Sequence, residues 1–498
     1  MATVDGLYPI SLTTGNLPAI AAAGRVPVPE YDRKGLVAGI VHLGVGAFHR
    51  AHQAMAVDRL LAAGSARDFA ICGVGILPSD RRMADVMADQ DGLYTLVVKH
   101  ADGRREPRVI GSIVDYVFAP DDPDAAIERM ARPEVGIVSL TVTEGGYNVD
   151  QVTGEFFAAA PAIRHDLANP DAPTTIFGYL AAALKRRRER GVPPFTVMSC
   201  DNVEENGHLA QRMLVAYARL AEEEFADWMA SAVHFPNSMV DRIAPVTTDT
   251  DRAEVAGRFG IRDAWPVVAE PFFQWVLEDD FGAHRPPWEE AGVQVVPDVE
   301  PYELMKLRLL NAGHQAMCYF GYLAGHEYAH EAAQDPAIAA LLTRYMAEEA
   351  IPTLRPVPGV DLDGYRRTLI ERFSNAEVRD TLARLCADSS DRIPKFVLPV
   401  VRENIAAGRS VALAAAVCAS WARYAEGVDE QGYPIDLVDR LSERLTAAAR
   451  RYADDPVAFL RDPQLFGDLV EEPSFRVPYL AALDSLHRQG AAATLAAL

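Results

Sequence analysis

The chain has 498 residues, 49% of them hydrophobic and 24% charged, and a formal net charge of −22. This is the composition of a soluble globular protein with material for two or three domains and well-filled cores. The acidic balance argues against nucleic acid or an anionic membrane as a partner, because both call for basic surface.

Up to about residue 37 the chain is a lead-in holding Pro18, Pro27 and Pro29. Residues 39–43 read as a short apolar strand that runs into Gly44-Val-Gly46 and then a helical pattern to about residue 63. Further strands are predicted at 69–74, 94–99, 109–118, 135–142 and 194–199, with helices at 124–131 and 176–190 between them. Strands alternating with helices imply a parallel, doubly wound α/β sheet. Beyond about residue 300 the texture changes. Ala/Leu/Arg-rich segments of helical period follow one another at 302–325, 335–350, 363–372, 376–387, 397–407 and 411–425.

The five cysteines, Cys72, Cys200, Cys318, Cys386 and Cys418, are far apart and form no CxxC pair. That indicates a reducing compartment, with neither a disulfide framework nor a zinc knuckle. Residues 1–11 lack a basic stretch followed by an apolar core, so no signal peptide is expected. The apolar run 411–422 is too short to span a membrane. A soluble cytoplasmic protein is the expectation.

A strand, then Gly44-Val-Gly46, then a helix is the context of a dinucleotide-binding turn. The first glycine makes the tight turn, the second lets the backbone approach a pyrophosphate, and the helix N-terminus offers N–H donors. The third glycine position holds His49, so the generic fingerprint is incomplete. Asp80, after the second strand, is the candidate acid for the adenosine ribose. It lies later than the usual spacing of about 20 residues. A carboxylate there favours NAD over NADP, although Arg81 and Arg82 keep NADP as a second choice. Asp80 also suits the N-cap of a helix over 81–88. These readings divide the chain into a Rossmann-type NAD-binding domain over 1–295 and an α-helical substrate and catalytic domain over 296–498.

In the helical part, Glu303, Lys306, Asn311 and His314 interrupt an otherwise apolar helix. At about 100° per residue, Lys306, Asn311 and His314 fall within an arc of roughly 140°. One helix can therefore present an ammonium, an amide and an imidazole to one cleft. Solvated polar positions on a helix surface would give the same pattern.

Taken together, Gly44-Val-Gly46-Ala-Phe48-His49-Arg50-Ala-His52-Gln53, Thr141-Val-Thr143-Glu144-Gly-Gly-Tyr147, Ser199-Cys-Asp201-Asn202-Val-Glu-Glu-Asn206-Gly207, Met239-Val-Asp241-Arg242-Ile243, the lysine helix and Arg372-Phe-Ser-Asn375 resemble the motifs of the polyol-specific long-chain dehydrogenases. The resemblance runs from about residue 37 to the C-terminus, and His49 is that family's own pattern. Within the family, residues 71–75, 235–242 and 266–271 resemble the branch that interconverts D-mannitol and D-fructose. The fructuronate reductases and the D-arabinitol and sorbitol dehydrogenases are the alternatives.

The resemblance implies hydride transfer to NAD without a metal. Lys306 is then the general base, which requires a pKa depressed toward about 7–8. Asn202 and Asn311 stabilise the developing alkoxide, His314 holds a substrate hydroxyl, Glu303 relays the proton and Asp241 orders the network. Arg384 and Arg392 are expected at the distal hydroxyls, Arg392 standing where the mannitol branch is expected to carry a lysine. Phe48, His49, Arg50, Thr143 and Glu144 join Gly44, Gly46 and Asp80 in the cofactor set. The expected partner is a small polyol or ketose, and the expected state a monomer or small homo-oligomer.

One motif points elsewhere. His326-Glu327-Tyr-Ala-His330 matches HExxH, in which two histidines one helical turn apart bind zinc. Glu348 or Glu349 would have to supply the third ligand. A zinc peptidase is the distant alternative, and a chance match on a helix surface the plainer one.

Overall fold

Short apolar strands build the central sheet of the first part of the chain. The computed structural model describes residues 8–150, 153–282 and 284–498. It divides into two units, one ending at Val299 and one beginning at Glu300. The part of the signal-peptide reading that rests on residues 1–7 lies outside the described residues.

The central sheet of the first unit holds β1 (Ile40–Leu43), β2 (Ile71–Gly75), β3 (Ile113–Phe118), β4 (Ile137–Leu140) and β5 (Thr196–Ser199), in the order β3-β2-β1-β4-β5. Every neighbouring pair is parallel. Four of the strands are buried along their whole length, which is why they read as apolar runs and not as alternating patterns. Helices cover both faces. Ile176–Glu189 and Asn206–Ala221 pack with Phe177, Leu184 and Leu214 on one side. Gln53–Ala62 packs on the other, beside Trp275 and Trp288. Asp122 and Thr175 start their helices by accepting the N–H of Ala125 and Gly178 on their side chains. The chain runs outward from β1 to β3 and then returns to β4. The order therefore reverses between β1 and β4, and a crevice for a ligand opens there at the carboxyl ends of the strands. This is a Rossmann-type sheet.

Two details differ from the sequence reading. The strand predicted at 109–118 is two strands. Arg105–Ile110 pairs antiparallel with Tyr94–Lys99 in a separate sheet, whereas β3 joins the central one. The break falls at Gly111, whose N–H donates to the buried carboxylate of Asp58 and whose carbonyl accepts from Arg33. Side chains satisfy its backbone where a ladder otherwise would. The strands Ser238–Asp241, Val267–Ala269, Gln274–Glu278 and Gln294–Val296 were not anticipated.

The second unit is helical. Its described residues hold no strand beyond the isolated bridges Tyr328↔Thr381 and Val428↔Pro434. Tyr319, Trp421, Tyr424 and Phe459 fill its core. The helix expected at 376–387 shrinks to Leu382–Cys386. Asn375 accepts the N–H of Glu377 and Thr381 caps at Arg384 N, so local side-chain bonds turn the chain first. Among the described residues no helix is long and apolar enough to cross a membrane.

Candidate active site

β1 ends at Leu43, and the turn behind it is made of backbone. Gly44 has φ +95°, and a Cβ there would lie 2.2 Å from the carbonyl oxygen of Thr141 at the end of β4. Only glycine fits both demands. A Cβ on Gly46 meets nothing nearer than Gly44 O at 3.9 Å. The outer side of this turn is therefore open, as the close approach of a pyrophosphate requires.

Two of the side chains assigned to this turn lie beneath it. Arg50 is fully buried, donates to Gly46 O (3.3 Å) and Trp265 O (2.6 Å), and packs over the rings of Tyr94 and Trp265. The His49 ring stacks on His42 with centroids 3.4 Å apart, and among the described residues neither of its buried nitrogens has a hydrogen-bond partner. Burial holds both imidazoles neutral, that of His42 pushed down to about 3. Any ligand on the turn therefore meets the backbone at 44–46 and Phe48 before these side chains.

Asp80 lies against the end of β2. A Cβ on Gly75 would stand 2.8 Å from its Cβ. Asp80 does not cap the following helix, Arg81–Asp89, with its side chain. It accepts the N–H of Leu77 at 3.0 Å and closes the short turn Pro78–Asp80. The two arginines that kept a 2′-phosphate open have partners of their own. Arg81 pairs with Asp121 over the Phe118 ring, and Arg82 lies over the ring of Trp265 at 4.6 Å.

The ends of β4 and β5 carry the next group. Thr143 and Glu144 are exposed just past β4, with Thr143 at φ +64°, a left-handed conformation unusual for a β-branched residue. Asn202 follows β5 and is exposed, while Asp241 ends the strand Ser238–Asp241 and is buried. The sequence reading gave no role to Asp201, which lies between these groups. Its carboxylate accepts the N–H of Val142 (3.1 Å) and Thr143 (2.8 Å) and the hydroxyl of Tyr147 (2.8 Å).

In the second unit Glu303, Lys306 and Asn311 are buried and His314 half-buried on one continuous helical stretch. Its middle is not α. Glu300–Met305 is α, Lys306–Asn311 is a π turn, and Ala312–Leu323 is α again. A π turn bonds i to i+5. It brings Lys306 and Asn311, five residues apart, nearer one stripe than an α wheel with its arc of roughly 140° allows. The ring of His314 lies 4.4 Å from that of Phe373. The missing side chain of Gly313 leaves room for Phe373 and Met346 to approach. Arg384 is paired with Asp380. Arg392 donates to the carbonyls of Leu385 (3.0 Å) and Arg384 (3.2 Å), so part of its guanidinium is used to hold its neighbour's backbone.

Two family models match the chain, the mannitol dehydrogenase Rossmann domain over residues 38–290 and the mannitol dehydrogenase C-terminal domain over residues 298–487. The chain belongs to the mannitol dehydrogenase family. It is 48% identical to the mannitol 2-dehydrogenase of Phaeosphaeria nodorum across 95% of this chain and 83% of that one. Among solved structures it resembles the Pseudomonas fluorescens mannitol 2-dehydrogenase in ternary complex with NAD and D-mannitol. That likeness has a TM-score of 0.87 and 44% identity, covering 98% of this chain and 99% of that one. A D-sorbitol dehydrogenase in substrate-free form matches with a TM-score of 0.88 and 38% identity over 95% and 97% of the two chains.

Membership of the mannitol dehydrogenase family leaves the HExxH match without a role, and the local structure agrees. His326 and Glu327 lie in a loop, and the helix begins only at Ala329. The two histidines are therefore not one turn apart on a helix. Glu349 accepts the N–H groups of Leu413 and Ala414, and Glu348 pairs with Arg344. Both acids proposed as third ligands are spent on other bonds.

Proposed function

We propose that this chain oxidises D-mannitol to D-fructose with NAD, and runs the reverse reduction with NADH. Family membership makes it an NAD-dependent polyol oxidoreductase. The likeness along 98% of its length to an enzyme solved with NAD and D-mannitol carries the finer reading. The likeness to a D-sorbitol dehydrogenase supports a second reading, in which D-sorbitol is the better substrate.

The residues divide by role. The open backbone of Gly44 and Gly46, with Phe48, Thr143 and Glu144, would hold the dinucleotide, and Asp80 its adenosine ribose. The neutral His49 and the buried Arg50 stiffen the turn from below. NAD held there would supply the acceptor for the hydride that leaves the alcohol carbon. Lys306 Nζ takes the hydroxyl proton, for which the lysine must first be uncharged. Asn202 and Asn311 donate hydrogen bonds to the alkoxide, a contribution of about 3–4 kcal/mol per donor in water-excluded sites. Glu303, one turn before Lys306, passes the proton onward. Asp241 orders the network, His314 holds a neighbouring hydroxyl, and Arg384 and Arg392 reach the distal hydroxyls. No step calls on a metal ion.

The test is NADH formation by the purified chain with D-mannitol, D-sorbitol, D-arabinitol and D-mannonate in parallel. D-Mannitol is expected to give the highest kcat/KM. D-Sorbitol ahead of it replaces the first reading with the second, and D-mannonate ahead of both makes the chain a fructuronate reductase.

A further inference from the structure

A left-handed threonine is strained and persists only where its surroundings hold it. Thr143, at φ +64°, is held by one carboxylate. Asp201 is 6% exposed, and its Oδ1 accepts Thr143 N at 2.8 Å while its Oδ2 accepts Val142 N at 3.1 Å. Tyr147, fully buried, returns from the far end of the same turn and donates its hydroxyl to Oδ2 at 2.8 Å. Burial raises the Tyr147 hydroxyl well above its ordinary pKa, so it remains a donor. Ser199 Oγ stands 2.6 Å from the Tyr147 hydroxyl and accepts Asp201 N at 3.2 Å, which completes the ring.

The same peptide is fixed from its other side. Asn206 Nδ2 donates to Asp201 O at 3.0 Å and to Ser238 O at 2.8 Å, while Ser238 N donates back to Asn206 Oδ1 at 2.9 Å. One bracket thus ties the segments that follow β4 and β5, which carry Thr143, Glu144 and Asn202, to Ser238 at the start of the strand that ends at Asp241. None of these bonds leaves the first unit, and of the groups assigned to substrate or cofactor they use only the backbone N–H of Thr143.

We infer that Asp201 is a positioning residue, which holds the Val142–Glu144 backbone in its left-handed turn so that this edge of the crevice is preformed for the nicotinamide half of NAD. The inference rests on the reading of Thr143 and Glu144 as cofactor residues. The carboxylate is the right group for the task. It accepts from three donors at once, whereas an amide would aim its own N–H at one of them.

Asp201→Asn is expected to weaken NADH binding about tenfold, the scale of one backbone conformation of about 1.4 kcal/mol no longer held in place. Titration calorimetry on the full chain reads this without turnover, and kcat for D-mannitol is expected to fall with it. Thr143→Gly supplies the decisive arm, because glycine adopts the left-handed conformation unaided. In that background Asp201→Asn is expected to cost less than about threefold, a coupling that a double-mutant cycle exposes. An equal penalty in both backgrounds overturns the inference, as does wild-type NADH affinity and kcat in a folded Asp201→Asn protein. Should that variant not fold, Tyr147→Phe removes a single donor and is expected to show a smaller loss, again relieved by Thr143→Gly; no loss overturns the inference. If the wild-type chain itself fails to bind NADH, the proposed function falls. If wild type binds and the variants match it, only the role of Asp201 falls.

Discussion

In the proposed site, the end of β1 would offer a ligand its backbone, and the helix of Lys306 would offer side chains. The first arrangement depends on what is missing: Gly44 has no Cβ because Thr141 O lies where one would be, and Gly46 has none where the turn stays open. The second depends on what is present, an amine, an amide and an imidazole set on one stretch by a π turn. Backbone sites bind what every member of a fold class binds, and side-chain sites choose the chemistry. Changes in the first region should therefore cost NADH binding and stability together, and changes in the second should cost turnover and polyol binding while sparing NADH binding.

The largest expected effect tests that division directly. Lys306→Ala should slow D-mannitol oxidation at least about 100-fold, the low end for a general base. NADH affinity, measured by titration, should hardly move. Wild-type oxidation should rise with pH as the base loses its proton and then level off, and the variant should lose that dependence. If the variant keeps both the wild-type rate and its pH profile, Lys306 is no base.

Gly44→Ala is the counterpart in the backbone region. The new methyl meets a carbonyl oxygen at 2.2 Å and the residue keeps a positive φ, so the turn must move. A loss of about 2–3 kcal/mol in unfolding free energy is expected, together with weaker NADH binding. A variant that melts like wild type but fails in turnover with NADH bound as before would erase the contrast between the two regions.

Another π turn of the second unit, Tyr345–Ala350, sharpens the comparison because it carries no proposed substrate group. Its Glu349 is 1% exposed and caps the helix Ala412–Ala425 through Leu413 N and Ala414 N. Burial outweighs these bonds and pushes its carboxyl up to about 7. The folded state therefore binds a proton that the unfolded chain releases near pH 4.3, so stability falls as pH rises from there to about 7. Between pH 5 and 8 the loss should be about 2.5 kcal/mol. Denaturant midpoints should show it in wild type and not in Glu349→Gln. An equal slope in both proteins would assign the pH dependence to other groups.

How far the sequence could be read follows the same division. Four strands of the central sheet and the glycine turn are local patterns and legible as such, whereas β3 merges in the sequence with the strand before it across Gly111. His49 at the third glycine position made sense only through the family resemblance, and the structure supplies the physical reason: it is a buried neutral ring stacked on His42. The lysine helix was found by spacing, yet five residues between Lys306 and Asn311 fit an α wheel poorly, and a π turn leaves no propensity signal. Asp201, Tyr147 and Ser199 stand inside the family motifs, but spacing alone assigns them no role, because a buried acceptor is defined by donors from another strand end. Glu349 was offered to a metal for the same reason. Its true partners are more than sixty residues later in the chain.

The smallest expected effect concerns Asp80, where the two kinds of site meet, since a side chain there would select among cofactors that the backbone turn accepts alike. Its carboxylate already accepts the Leu77 N–H, and this fixes it against Gly75 at the end of β2. A ribose 2′-hydroxyl can donate to the remaining lone pairs, and a 2′-phosphate meets like charge. Asp80→Ala removes the bond and the repulsion together. NAD use should weaken about tenfold and NADP use improve, a change of about 1.4 kcal/mol in each direction at most. The improvement should be modest because Arg81 and Arg82 are engaged with Asp121 and Trp265 and must be released before they can hold a phosphate. The ratio of kcat/KM for NAD over NADP in both proteins decides it. A wild type that already prefers NADP would move selection away from Asp80 to those arginines, and a ratio unchanged by the substitution would leave the choice of cofactor to the backbone.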